Sequence, residues 1–332
     1  MFHFIFRQAY KKSKYCFYSQ NSLKCALYST MNFQFGLAAA PVTPLDKNGE
    51  VNVSIIGKYI DILLEQGIRS VYVNGCTGEG PSFNVQERKL VAEKWVEYGR
   101  NKLDKIIIQI GGTNMKDSQE LAVHAQKVGA SAIASLPHLF YQSDVSSLIE
   151  YCAELTSVVP EMPFMYYHIP GFTGVNIKVE EFLEAAQHKL PSLVGVKYTH
   201  NDLFDATQST LVGGGKYLVS LGGDDLLLSG LVLGIKSSIG LTYNYCGKVN
   251  CSILEAYNKQ DMDQARKLQL EVHQYWKIFM KYGGNAAAVT RACLILLGLD
   301  VGPPRLPNMP LNNEELKLLK IDLQNFLTVN KL

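Results

Sequence analysis

The stretch Val194-Gly195-Val196-Lys197-Tyr198-Thr199-His200 decides how the rest of the chain is read. A short apolar run of strand-forming residues closes on Lys197, which leaves an ammonium at the end of a buried strand, where water is scarce and charge is costly. Taken alone, such a lysine either snorkels its head into solvent or stays desolvated for chemistry. The segments on either side favour the second.

Working outward, strand-like runs fall at 36–42, 70–74, 105–110, 130–136, 163–168, 193–197, 217–221 and 237–242. Each precedes a segment with helical apolar spacing, at 53–65, 85–99, 115–128, 144–156, 178–188, 203–211, 225–233 and 248–258. Asn84 and Ser143 stand as N-caps of the second and fourth helices. Eight strand–helix repeats predict an α/β chain folded as a (β/α)8, or TIM, barrel; a doubly wound sheet is disfavoured because no Gly-rich dinucleotide fingerprint opens the first unit. Three additional C-terminal helices are expected at 261–282, 285–297 and 313–329, covering the barrel or supplying a subunit contact. The expected organisation is an N-terminal extension over 1–30, a barrel over 31–260 and a helical extension over 261–332.

Composition agrees with one large globular unit: 332 residues, 47% hydrophobic, 19% charged, net charge +2. That charge gives no reason to expect nucleic acid, and no apolar run is long enough to span a bilayer. The expected partner is a small molecule. Seven scattered cysteines, none in C-x-x-C spacing, point to a reducing compartment and a cytoplasmic protein. Residues 1–30 carry Arg7, Lys11, Lys12, Lys14 and Lys24 without an acidic residue, which fits a mitochondrial transit peptide or equally a start upstream of Met31.

In a barrel of this kind the chemistry sits where the strands end. Lys197 ends the sixth strand, and the fifth ends in Tyr166, Tyr167, His168, Ile169 and Pro170. After the second comes Gly75-Cys76-Thr77-Gly78-Glu79-Gly80, a turn whose amides and Thr77 hydroxyl suit a carboxylate. The seventh leads into Gly222, Gly223, Asp224 and Asp225, the eighth into Gly240, Leu241 and Thr242. A desolvated lysine amine, its pKa lowered from about 10.4 towards 7–8, attacks a ketone to form a Schiff base, and the iminium is an electron sink. A nearby tyrosine shuttles a proton to a substrate hydroxyl. The implied substrate is a 2-oxo acid and the reaction aldol cleavage or addition, with neither metal nor organic cofactor required. Asp224 beside Asp225 reads as a hydroxyl-binding or helix-capping pair rather than a metal site. His168 and His200 read as structural, Gly213 to Gly215 as a flexible turn, and Trp95 and Trp276 as helix packing.

G-C-T-G-E at 75–79, Y-Y-H-I-P at 166–170, G-V-K-Y-T at 195–199 and G-G-D-D at 222–225 resemble the Schiff-base aldolase family that includes dihydrodipicolinate synthase and N-acetylneuraminate lyase. S-S-I-G-L-T-Y-N-Y at 237–245 and G-P-P-R-L-P at 302–307 are most similar to the animal N-acetylneuraminate lyases, and the resemblance runs from about Phe33 to the end. It implies that Lys197 forms the Schiff base, that Tyr167 donates the proton, that Cys76 and Thr77 hold the pyruvate carboxylate, and that Thr199, Gly222, Asp224 and Asp225 touch the sugar chain. It further implies cleavage of N-acetylneuraminate and a homotetramer. Three positions depart from the pattern: Cys76 where the family has Ser or Thr, Asp225 for Glu, and Leu241 where the lyases carry a serine. Each departure weakens substrate binding by about 1 kcal/mol and none touches the Schiff-base machinery. The rival readings are a dihydrodipicolinate synthase, a mitochondrial 4-hydroxy-2-oxoglutarate aldolase, and an inactive binding barrel. The first usually has an acidic residue after the lysine, where Tyr198 and Thr199 stand here.

Overall fold

The computed structural model describes residues 33–329; residues 1–30, with Cys16 and Cys25, lie outside that range. Eight parallel strands, β1 Leu37–Ala39, β2 Ser70–Val73, β3 Lys105–Gln109, β4 Ala132–Ser135, β5 Phe164–His168, β6 Leu193–Tyr198, β7 Leu218–Leu221 and β8 Ser237–Gly240, pair in sequence order, and β8 returns to β1 to close a barrel. This is the (β/α)8 architecture, with three further helices, Met262–Lys281, Ala286–Leu296 and Asn313–Val329, after the barrel. Among the described residues no helix is long and apolar enough to cross a membrane.

Side-chain alternation sorts the strands into two layers. Ala38, Tyr72, Ile107, Ala132, Ala134, Met165, Tyr167, Leu218 and Ile239 fill the barrel interior. Ala39, Val71, Val73, Ile106, Ile108, Ile133, Phe164, Tyr166, Val196 and Tyr198 pack outward against the helices. On β6 the alternation is reset. The pairing with β5 slips between Phe164 and Met165, so that Val194 is an extra residue and Tyr167 lies opposite Lys197. Leu193 packs outward and Val194 inward, and after the bulge Val196 and Tyr198 are outward again, which sends Lys197 into the barrel mouth. An unbroken alternation from Val194 would have turned the lysine towards the helices.

Several boundaries differ from the sequence reading for local physical reasons. The first strand is three residues rather than the expected 36–42, because Pro41 has no N–H to give the ladder. The eighth stops at Gly240, since the Thr242 amide is captured by an Asp224 carboxylate oxygen at 2.6 Å. The sixth extends one residue past Lys197, to Tyr198. The fourth helix begins at Val145 and its cap is Asp144, in a reciprocal capping box with Ser147, not Ser143. The last barrel helix begins at Tyr243 rather than 248: Asn244 is drawn into it by bonds to the Ala40 carbonyl and the Tyr59 hydroxyl, and the backbone departs from helical angles at Cys246. A one-turn helix, Pro170–Thr173, was not foreseen. Asn84 caps its helix as read, in a box with Glu87. Gly213, Gly214 and Gly215 form a turn with φ between 61° and 81°. Trp95 is wholly buried with its ring edge-on to Tyr59 at 5.5 Å, and Trp276 stacks on Phe279 at 5.0 Å.

Gly195 is a point of close approach between β6 and β7. A Cβ there would lie 2.2 Å from the Leu218 carbonyl oxygen, which is backbone and cannot step aside. Gly195→Ala is expected to lower unfolding free energy by about 2 kcal/mol or more, read as a fall in the denaturation midpoint; an unchanged midpoint would mean the two strands separate without penalty.

Candidate functional site

β6 places Lys197 at the C-terminal mouth of the barrel with 4% of its surface exposed. Its Nζ lies 4.3 Å from the ring centroid of Tyr167 and 4.2 Å from that of Tyr72. Burial pulls the lysine down to about 8; Cys76 and Asp224 act in the opposite direction and only partly offset it. Burial drives the Tyr167 and Tyr72 phenols well above their ordinary range. An amine that sheds its proton near neutrality, beside phenols that keep theirs, is suited to attack a carbonyl carbon and then hand protons about.

The carboxylate-binding turn follows β2. Cys76 is partly buried and packs against the barrel interior, and Thr77 is buried. The turn is held by short backbone contacts: the Glu79 amide donates to the Cys76 carbonyl, and the Thr43 hydroxyl to the Gly78 carbonyl at 2.7 Å. Any side chain at Gly80 would collide with the Asn74 carbonyl oxygen, 2.0 Å from a built Cβ. Glu79 itself is left-handed, with φ 55°, a conformation a non-glycine residue keeps only when its surroundings fix it. They do. Its side chain is fully buried in an ion pair with Arg291, whose Nε donates to Oε2 at 3.1 Å. The other oxygen accepts from the Arg305 amide at 2.9 Å and from Asn308 Nδ2 at 3.2 Å. Arg291 also donates to the carbonyls of Thr43 and Val301, both at 2.7 Å. The sequence shows Glu79 and Arg305 within the motifs at 75–79 and 302–307 but nothing that pairs Glu79 with Arg291.

The wall opposite is built after β7. Gly222 must be glycine, since a Cβ would sit 1.8 Å from the Thr199 hydroxyl oxygen. That hydroxyl makes no well-formed hydrogen bond among the described residues, but it lies close enough to the Tyr167 phenol to oppose the rise in its pKa. Asp224 is wholly buried, and among the described residues only one of its oxygens is satisfied, by the Thr242 amide. The other lies against Gly240, where a Cβ would come within 2.0 Å. Burial raises this carboxyl to about 6, with the Thr242 bonds and Lys197 opposing. Burial raises Asp225 as well. This turn too is held by the C-terminal helices: Gln269 Nε2 donates to the Asp224 carbonyl at 3.2 Å, and His273 Nε2 lies 2.8 Å from the Asp225 carbonyl. Leu241 is half-buried and packs on the outer core. His168 points away from the barrel mouth into the layer of Tyr166 and Tyr198, fully buried, and burial lowers it to about 4. Lys197, Tyr167, Cys76, Thr77, Thr199, Gly222, Asp224 and Asp225 therefore fall on four rim segments, three from the neighbouring strands β5, β6 and β7 and one after β2 across the mouth. Tyr72, Glu79, Arg291, Gln269 and His273 join them without having been foreseen; Tyr72 was legible as an inward strand position, the others only through contacts distant in sequence.

Residues 34–326 match the dihydrodipicolinate synthetase family. The N-acetylneuraminate lyase of Rattus norvegicus is 40% identical over 88% of this chain and 93% of its own length. That of Homo sapiens is 40% identical with the same two coverages, 88% and 93%. The solved structure of Proteus mirabilis N-acetylneuraminate lyase superposes with a TM-score of 0.85 at 34% identity, over 89% of this chain and 99% of that one.

Two buried carboxyls predict opposite responses. Glu79→Gln leaves the Arg291 cation buried and unpaired and is expected to destabilise by about 3 kcal/mol. Asp224 is different, because its folded pKa is raised from 3.8 to about 6: the folded state disfavours the charge, so stability falls as pH rises from 3.8 to 6 and the deficit persists above. Asp224→Asn keeps an acceptor for the Thr242 amide and should melt higher than the native protein at pH 7.5, with the difference vanishing towards pH 4. Melting curves of both variants across pH check this; a lower melting point for Asp224→Asn at pH 7.5 would contradict the burial argument.

Proposed function

The chain belongs to the dihydrodipicolinate synthetase family, and from that premise we propose that it is a carbon–carbon lyase that cleaves N-acetylneuraminate to N-acetylmannosamine and pyruvate through a Schiff base on Lys197. The observation that carries the reading is the buried Lys197 amine, lowered to about 8 and set against Tyr167 at 4.3 Å, in a chain about 40% identical to N-acetylneuraminate lyases.

The neutral amine attacks the C2 ketone of the open-chain sugar, and loss of water leaves a protonated imine. The C4 hydroxyl then gives up its proton to the Tyr167 oxygen, which has already passed its own proton to the hydroxyl that departed as water, aided by the substrate carboxylate in the Cys76–Thr77 turn. The C3–C4 bond breaks, its electron pair moving to C3 and on to the imine nitrogen as an enamine, while C4 leaves as the aldehyde of N-acetylmannosamine. Protonation at C3 restores an imine, and water releases pyruvate and the lysine. The buried hydroxyl of Thr199 and the Asp224 oxygen that has no partner among the described residues are hydrogen-bonding capacity for a polyhydroxy chain. By the same resemblance we extend the reading to a cytoplasmic homotetramer, which sedimentation and fractionation would test.

Because the ammonium cannot attack, kcat/KM is expected to rise with pH along a limb centred near 8 rather than near the ordinary lysine value. Lys197→Arg, which stays protonated, should abolish turnover and leave no borohydride-trapped pyruvate adduct; residual cleavage in that variant would end the Schiff-base reading. A second test offers N-acetylneuraminate, 4-hydroxy-2-oxoglutarate, and pyruvate with aspartate semialdehyde side by side. Turnover of N-acetylneuraminate is expected, with Leu241→Ser lowering its KM up to roughly fivefold by restoring one hydrogen bond. Turnover of either rival alone would transfer the assignment while keeping the mechanism.

A further inference from the structure

We propose that Tyr72 is a positioning residue for the imine, the face of its ring holding the positively charged nitrogen that Lys197 contributes. The proposal rests on the Schiff-base reading above and adds to it a group at the reacting nitrogen. Nζ of Lys197 is 4.2 Å from the Tyr72 centroid and 4.3 Å from that of Tyr167. The two rings meet edge to face, 5.7 Å apart at 73°, so the nitrogen occupies a notch between two aromatic systems. Tyr72 reaches this notch across the barrel interior from β2. Gly75 leaves room for it, since a Cβ there would stand 2.9 Å from Tyr72 Cε1. The ring is wholly buried, and its hydroxyl has no hydrogen-bond partner among the described residues. What it offers Lys197 is therefore its face.

The chemistry makes contradictory demands at this one nitrogen. Before attack it must be neutral, and after water has left it must carry a positive charge. Burial alone serves the first demand and works against the second. A carboxylate in contact would reverse the problem, because it would hold the proton on the free amine. An aromatic face is intermediate: it attracts a cation through the ring quadrupole and brings no full charge. The charged and titratable groups around the pair are Cys76 and Asp224, which act on Lys197, and Cys76 and Arg88, which act on Tyr72, together with the Tyr167 phenol. Apart from Tyr167, none of them lies against the nitrogen with a face as Tyr72 does. The ring itself makes and breaks no bond.

The test uses the full chain with Tyr72→Phe, Tyr72→Leu, and phenylalanines of increasing fluorination placed at position 72. The quantity read is the borohydride-trapped pyruvate adduct by intact mass, as a function of pyruvate concentration and pH. Tyr72→Phe should label within about twofold of the native protein, while Tyr72→Leu should need about tenfold more pyruvate for half-labelling. The Leu variant should also label from a lower pH, because the free ammonium loses the same face. If Tyr72→Leu does not fold, the fluorinated series decides, because shape is nearly kept while the quadrupole is drained. A graded loss of imine with fluorine content supports the proposal, and a flat response overturns it. Native-like labelling of Tyr72→Leu overturns it as well. Equal losses in Phe and Leu would overturn it by moving the role to the hydroxyl. No adduct on the native protein would overturn the Schiff-base reading itself, and this proposal with it.

Discussion

The carboxylate of Glu79 and the guanidinium of Arg291 are both buried, and the site depends on their pairing. Taking two such charges out of water costs several kcal/mol each, and attraction repays this only where every remaining polar atom is also satisfied. Here both Glu79 oxygens are engaged, by Arg291, the Arg305 amide and Asn308. Arg291 binds two further carbonyls. A hydrophobic pair of the same volume would fill the space, yet it would not fix the direction of the backbone. The ion pair does fix it, holding Glu79 left-handed and so setting the turn that presents Cys76 and Thr77.

The C-terminal helices consequently hold both walls of the barrel mouth. Arg291 anchors the turn after β2, and Gln269 with His273 anchors the turn after β7. The contacts go to backbone carbonyls or to a single buried carboxylate, which constrains main-chain position more tightly than side-chain packing would. The barrel supplies Lys197 and Tyr167 from paired strands. The helical extension supplies the frame around them.

Within that frame the site retains groups that burial leaves unsatisfied. Lys197 is pulled down to about 8 and Asp224 pushed up to about 6, each by desolvation. Asp224 keeps one oxygen without a partner among the described residues, and the Thr199 hydroxyl makes no well-formed bond among them. Unmet polar capacity of this kind lowers stability, and it is the usual condition of a site built to receive a polar ligand. Of the three departures, Cys76 lies close enough to Lys197 and Tyr167 to act on both, whereas Asp225 and Leu241 stand beyond the ends of β7 and β8.

The sequence by itself determined the eight-fold strand–helix alternation, the positions of Lys197 and Tyr167 at strand ends, and the glycine-rich turns after the second and seventh strands. These signals are local: a period of two, a period near 3.6, and residues such as Asn84 that act on amides three positions away. Tertiary structure alone decided that a bulge at Val194 turns Lys197 inward, that Asp224 captures Thr242 and so ends the eighth strand, and that Tyr72 crosses the barrel to the lysine. It alone brought Arg291 to Glu79 across 212 positions of chain. A hydrogen bond between residues so distant leaves no periodicity in the sequence, because each partner is chosen by where folding brings it and not by its neighbours along the chain.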